Sequence, residues 1–271
     1  MLDVDTYLRE WAMPHVLCPG CAHGIVLRSL FGAVDRLGLD QDKVAMVAGI
    51  GCSSRLVGYA DFCTLHGTHG RAPAFATGLK LARPDLHVVV VTGDGDALAI
   101  GGNHLIHAAR RNVDLTVLML NNSIYGMTGG QAAPTTPLGA IASTTPTGNV
   151  EPAFDACKLL IGAGASFVGR VLAANPGAMT DIMTQAIDHP GFAFVEVISD
   201  CPVYYGRYNR IGAGADMLTW MTRIEQGVAD PLAAKTFVEH VPPSQAPAGL
   251  PTGILNREER PVFRGGGAAP W

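Results

Sequence analysis

A chain of 271 residues with 48% hydrophobic residues, 15% charged residues and a formal net charge of -4 has no basic field for nucleic acid, and no apolar run approaches the ~20 residues of a membrane span. Its mean hydropathy of +0.23 is high for a soluble monomer and predicts apolar surface that meets another chain. The polar, acidic start from Met1 to Glu10 does not read as a secretory leader, so a cytoplasmic, reducing compartment is expected, where the six cysteines serve as thiols or metal ligands before disulfides.

Met1 to Pro14 reads as an arm outside the core. Cys18-Pro19-Gly20-Cys21 follows it. Ile25, Leu27, Leu30, Phe31, Val34 and Leu37 fall near helical spacing and predict a helix that stops at Gly38. Val44 to Ala48 is a short strand of buried type, leading into Gly49-Ile50-Gly51-Cys52-Ser53-Ser54-Arg55. Residues 56–71 read as irregular and carry Cys63, His66 and His69. A helix begins near Ala72, with Pro73 in its first turn.

Val88 to Asn122 is the stretch that the rest serves. An apolar run ends at Gly93-Asp94-Gly95-Asp96, a helical segment follows from Gly101, and a second apolar run from Val113 closes on Asn121-Asn122. Ser123 to Val150 is rich in Gly, Thr and Pro and is long for a structureless loop, a length that points to function or motion. Helix at 154–161, strand at 165–169, helix at 177–188, strand at 192–198 and a last helix at 216–226 complete the pattern. Residues 1–225 are expected to form one domain and 226–271 an extended tail.

Strands alternating with helices predict an α/β fold, a mainly parallel sheet with helices on both faces. In such sheets ligands bind beyond the carboxyl ends of the strands. Cys52, Asp94, Asn122 and Cys201 each follow a predicted strand, so they are expected on one rim.

The chemistry of that rim reads as follows. A carboxylate at one strand end and an amide oxygen at the next suit Mg2+, which takes oxygen ligands and is usually shared with phosphate. Glycines let backbone N–H groups approach a phosphate closely. A lone Gly-Asp-Gly is more often an ordinary turn between strand and helix. The C-x-x-C pair at Cys18 and Cys21, with Cys52 and Cys201, leaves structural zinc and an iron–sulfur cluster both open, since spacing does not separate them.

The full pattern resembles the β subunits of the 2-oxoacid:ferredoxin oxidoreductases, most closely the 2-oxoglutarate type. Gly-Asp-Gly is followed by Asn just under thirty residues on, as in the thiamine diphosphate motif. Gly101-Gly102-Asn103-His104 and Tyr125-Gly126-Met127-Thr128-Gly129-Gly130-Gln131 match as well. The resemblance covers roughly residues 7–225. It departs at Cys21-Ala22-His23-Gly24, where the family has Cys-Gly-His-Gly, and no consequence is attached to the change.

That resemblance implies a thiamine diphosphate-binding, pyrophosphate-domain fold with three cofactors. Asp94, Asn122 and the backbone oxygen of Ile124 would hold Mg2+. Ile50, Gly51, Cys52, Ser53, His69, Gly95, Asp96, Gly126 and Met127 would contact thiamine diphosphate. Cys18, Cys21, Cys52 and Cys201 would hold one [4Fe–4S] cluster, while Cys63 and Cys157 read as plain buried thiols. Arg55 is a candidate contact for the 2-oxoacid, because a guanidinium pairs with a carboxylate at two points.

The implied reaction is the coenzyme A-dependent oxidative decarboxylation of a 2-oxoacid, or its reverse, with electrons exchanged with ferredoxin. The glutamate that activates the aminopyrimidine is expected on an α subunit, so the chain would be inactive alone and would work in an (αβ)2 assembly. Pyruvate or another 2-oxoacid as substrate is the nearest rival. A non-redox thiamine decarboxylase or synthase subunit has no need of a cluster. A zinc-stabilised interaction protein leaves Asp94 and Asn122 unexplained.

Overall fold

Runs of Val, Ile, Leu and Phe without polar alternation make strands only where helices cover both faces. The computed structural model, which describes residues 2–225 and 250–265, has that arrangement. The strands are β1 (Val44–Ala48), β2 (Cys63–His66), β3 (His87–Gly93), β4 (Leu115–Asn121), the short pair β5 (Ile124–Tyr125) and β6 (Gln131–Ala132), β7 (Phe167–Leu172), β8 (Phe192–Ile198) and β9 (Gly253–Arg257). The helices are α1 (His23–Arg36), α2 (Ala72–Ala82), α3 (Gly102–Arg111), α4 (Ala156–Gly162), α5 (Pro176–Asp188) and α6 (Gly214–Glu225).

Seven strands form one sheet in the order β2-β1-β3-β4-β8-β7-β9, parallel throughout except for β9. Because side chains alternate along a strand, each strand feeds two cores. Val47, Val90, Val117, Phe194 and Val168 are paired across the sheet in one row and pack with Ala76 of α2, Leu105 of α3 and Leu160 of α4. Met46, Val89, Val91, Leu118 and Val195 point the other way and pack with Phe31 of α1, Met183 of α5 and Met221 of α6. No helix among the described residues is long and apolar enough to cross a membrane.

The structure revises several local expectations. The start of the chain is not an arm outside the core: Tyr7 is buried and stacks on Phe31, with ring centroids 5.4 Å apart. Residues 56–71 are not wholly irregular, because Cys63–His66 forms the edge strand β2. Its mostly exposed residues hid the strand pattern, and Cys63 is an exposed thiol rather than a buried one. The long loop after Asn122 has structure of its own. Buried Asn149 donates to the carbonyl oxygens of Thr136 and Glu151, and Asn209 links to both the N–H and C=O of Ile141.

At the far end, Gly253–Arg257 returns to the sheet as β9, antiparallel to β7. Asn112, in the left-handed conformation just past α3, donates to the carbonyl oxygens of Arg260 and Pro261 and so anchors the segment beyond β9.

One charged network crosses this interior. Glu196 of β8 and Arg170 of β7 are both buried and form an ion pair of 2.6 Å. Asn121 donates to the other oxygen of Glu196 at 2.8 Å, and Asp155 accepts from Arg170 at 2.8 Å. The neighbouring carboxylates hold the guanidinium firmly in its charged form against burial, which acts to lower its pKa. Removing one partner of a buried pair leaves the other charge uncompensated, at a cost of about 3–5 kcal/mol. Arg170→Ala is therefore expected to lower unfolding stability by that amount in urea titration. The double change Arg170→Met with Glu196→Gln should recover much of it.

Candidate functional site

The sheet delivers its loops to one rim. Cys52, Asp94, Asn122 and Cys201 follow β1, β3, β4 and β8, and all four lie at the carboxyl edge of the parallel strands. Two adjoining cavities open there. Ile50, Gly51, Cys52, Ser53, His69, Asp94, Gly95, Asp96, Asn122, Ile124, Gly126 and Met127 line the first. Cys18, Cys21, Cys52 and Cys201 line the second, together with Arg55, His66 and Asp200. All the site residues expected from sequence thus fall into two neighbouring spaces, and Cys52 faces both.

Asp96 organises the first cavity. One of its oxygens accepts from the backbone N–H of Ile50 at 3.1 Å, the backbone N–H of Gly70 at 2.7 Å and Nδ1 of His69 at 2.5 Å. The other accepts from the Thr92 hydroxyl at 2.7 Å. Its oxygens are therefore engaged by the protein's own donors, and Asp96 binds the loop after β1 and the loop after β2 to the end of β3. A carboxylate only accepts, so His69 presents its hydrogen at Nδ1 and leaves Nε2 for the cavity. Gly49 must lack a side chain, because a Cβ there would collide with the Asp96 carboxylate.

Asp94 differs from Asp96. It is buried and accepts a short hydrogen bond from the Thr135 hydroxyl. Burial raises its pKa to about 6 against the opposing hydroxyl and backbone bonds. A buried carboxylate with so little positive partnership is an anion in want of a cation. The Gly95–Ile100 segment that follows is a π-helical turn rather than a simple acidic loop. Tyr125 lies across it, its hydroxyl donating to the Gly95 carbonyl at 3.2 Å and its ring occupying the place where a Gly95 side chain would sit. The buried Ser53 hydroxyl of the same cavity has no partner among the described residues.

The second cavity is an acceptor-rich sulfur pocket. Burial lifts the Cys21 thiol to about 12 and the Cys52 thiol to about 11, and the other cysteines add to both shifts. Burial raises Cys201 as well, opposed by the backbone N–H groups of Tyr204 and Tyr205. Three such thiols in one pocket do not ionise together without added positive charge. Asp200 draws the chain ends into register: its Oδ1 accepts from the backbone N–H of Ala22 at 2.8 Å, so the residues beside Cys21 and Cys201 are tied directly. A Cβ on Gly126 would lie 3.4 Å from the Cys201 sulfur and 3.6 Å from that of Cys52, so the absent side chain keeps the space between these sulfurs open. Among the described residues, no three His, Cys, Asp or Glu side chains converge tightly enough to enclose one metal ion.

Three residues of this rim escaped sequence reasoning. Thr135 is 41 positions from Asp94 within a loop that has no periodic pattern. Asp200 directly precedes Cys201, and that adjacency was the available signal. His23 lines both cavities and lies in the stretch where the chain departs from the resembled motif.

The chain is also similar to known proteins. The family model described as the C-terminal TPP binding domain of thiamine pyrophosphate enzymes matches residues 49–197. The 2-oxoglutarate synthase subunit KorB of Methanothermobacter marburgensis is 54% identical over 215 residues, 79% of this chain and 75% of that one. The 2-oxoglutarate oxidoreductase subunit KorB of Mycobacterium tuberculosis is 48% identical over 187 residues, 69% of this chain and 50% of that protein. Among solved structures, the 2-oxoglutarate:ferredoxin oxidoreductase of Magnetococcus marinus, with 2-oxoglutarate, coenzyme A and succinyl-CoA bound, superposes with a TM-score of 0.82 at 35% identity, covering 97% of this chain and 87% of its own.

The role of Asp96 is open to direct test. Asp96→Ala leaves the buried backbone N–H of Gly70 without an acceptor, at a cost of about 1–3 kcal/mol, and removes the acceptor of the part-exposed Ile50 N–H as well. Hydrogen exchange should accelerate at those two amides while the β3–β4 ladder keeps its protection. Unchanged exchange at both would show that the carboxylate does not hold the loops.

Proposed function

This chain belongs to the β subunits of the 2-oxoacid:ferredoxin oxidoreductases, and we propose that it binds thiamine diphosphate with Mg2+ and one [4Fe–4S] cluster for the oxidative decarboxylation of 2-oxoglutarate. The observation that carries this reading is the pair of adjoining cavities with Cys52 in their common wall. An enzyme that must take electrons from a decarboxylated substrate needs the acceptor beside the donor, and one short loop sets that spacing.

The residues present suit each group. Asp94, Asn122 and the Ile124 carbonyl oxygen would hold Mg2+, relieving the buried Asp94 charge. The Ile50–Ser53 loop, His69, Gly95, Asp96, Gly126 and Met127 would surround thiamine diphosphate, with the Ser53 hydroxyl free to donate to an oxygen of the diphosphate. When bound, the vitamin supplies the carbanion-stabilising chemistry, and this chain positions it and shields it from water. Cys18, Cys21, Cys52 and Cys201 would hold the cluster. The match to the family's cysteine motifs, rather than the spacing, favours the cluster over a single zinc.

The chain is proposed to act with an α subunit that completes the site, as part of an (αβ)2 assembly in the cytoplasm, to pass electrons to ferredoxin and to use coenzyme A as acyl acceptor. The reverse, reductive carboxylation, is served by the same geometry. Residues 1–225 would form the cofactor-binding domain, with 226–271 as a C-terminal extension that includes β9. The names of the relatives favour 2-oxoglutarate over pyruvate. Arg55, exposed at the edge of the sulfur cavity, is proposed to contact the substrate.

Co-purification with the α partner, followed by anaerobic assay with coenzyme A and a one-electron dye, tests the activity. Reduction is expected with 2-oxoglutarate in preference to pyruvate. Arg55→Ala should lower the rate on 2-oxoglutarate more than on pyruvate, and an equal loss on both removes its claim to selectivity. Asp94→Asn should weaken Mg2+-dependent vitamin binding by more than about tenfold in calorimetry, the loss typical of even an outer partner of a metal ligand, with iron content and fold retained. Cys201→Ala should do the reverse, removing iron and the visible absorbance while leaving vitamin binding in place.

A further inference from the structure

The wall between the two cavities is made of residues that face both: His23, Ile50, Gly51, Cys52, Asn122 and Met127. On the reading above, Cys52 is committed to iron and Asn122 to the divalent ion. Ile50, Gly51 and Met127 offer no polar side chain of consequence. His23 is the polar side chain of this wall with no assigned partner.

Its burial makes that vacancy informative. The residue is 1% exposed, and neither ring nitrogen has a hydrogen-bond partner among the described residues. An imidazole always carries at least one N–H donor. Buried polar atoms are nearly always paired in folded proteins, so a ring with both nitrogens empty points to a partner from outside the chain.

The chemistry of the two cavities indicates which side needs a donor. The vitamin cavity already offers donors in Ser53, Asn122 and several backbone amides. The sulfur cavity presents four cysteine sulfurs and Asp200, all of which act as acceptors once ionised, and the Asp200 Oδ2 atom is itself without a partner. The other donors that reach these sulfurs are backbone N–H groups, those of His23, Cys52, Tyr204 and Tyr205. Arg55 and His66 of the same cavity are exposed. His23 opens α1 two residues after Cys21, and its own backbone N–H is turned to the Cys21 sulfur.

We propose that the His23 ring N–H donates a hydrogen bond to a sulfur of the bound cluster, and that this bond raises the cluster's reduction potential. The inference rests on the assignment of the four cysteines to that cluster. A hydrogen bond to sulfur stabilises the more negative, reduced state, and such bonds are among the factors that set these potentials. His23 is thereby a tuning residue placed between electron donor and acceptor.

The test uses the anaerobic αβ enzyme carrying wild-type, His23→Leu or His23→Gln β chain, with iron and sulfide analysis and a redox titration of the cluster for each. At equal iron content, His23→Leu is expected to titrate at a more negative potential. His23→Gln, which keeps an N–H donor, should return most of the way to wild type. A His23→Leu enzyme with full iron and an unshifted potential overturns the proposal, as does an equal shift in both variants. An unshifted potential with a raised KM for the 2-oxoacid also overturns it, since the ring would then serve the substrate. Should the variants fail to load iron, pulsed electron paramagnetic resonance of the reduced wild-type enzyme with isotope-labelled histidine decides the matter. A weakly coupled ring nitrogen is expected, and its absence counts against the inference. A wild-type enzyme without iron and sulfide identifies a different failure, that of the cluster assignment itself.

Discussion

One carboxylate sets the geometry of the vitamin cavity. The parallel sheet brings strand ends to a common rim, but strand ends alone leave loops free to wander. Asp96 removes that freedom by accepting from Ile50, His69, Gly70 and Thr92 together. Charge-assisted bonds of this kind are each stronger than neutral ones, and four on one buried group make the loop arrangement a single unit. The position of Cys52, the orientation of His69 and the closeness of Gly49 to the carboxylate all follow from it.

The sulfur cavity is assembled by a smaller version of the same device. Asp200 accepts from the amide of Ala22 across 178 residues of sequence, which sets the Cys18–Cys21 turn beside Cys201. Both carboxylates sit next in sequence to, or two residues from, a proposed ligand, Cys201 in one case and Asp94 in the other. Asp94 and the cysteines are left underpaired, while Asp96 is given its full set of donors. The chain thus satisfies the groups that shape the site and leaves short of charge the groups that would receive a cation.

Much of this was legible in the sequence because it rested on local pattern. The apolar runs at Val44–Ala48 and Phe192–Ile198 emerge as strands with those bounds. The rim placement followed from the rule that ligands bind beyond the carboxyl ends of parallel strands. What stayed hidden depended on distant partners. Cys63–His66 lacks an apolar pattern and is a strand through its pairing with β1. Thr135 reaches Asp94 from a loop whose path is set by Asn149 and Asn209 hydrogen bonds, not by periodicity. Tyr7 enters the core through contacts with Phe31 and Phe62, which a short polar start does not announce. Asp96 reads as one more acidic residue in a turn until its four donors are seen.

The partition between the two cavities belongs wholly to one polypeptide. Under the proposed assignment, the span that an electron crosses is written into the folded β chain and does not depend on how subunits dock. An α partner can then be exchanged, fused or reshaped for another substrate without rewiring the conductor. Substrate contacts supplied from outside the β chain are thus separable from electrical contact, whereas Arg55, at the edge of the sulfur cavity, stays tied to it.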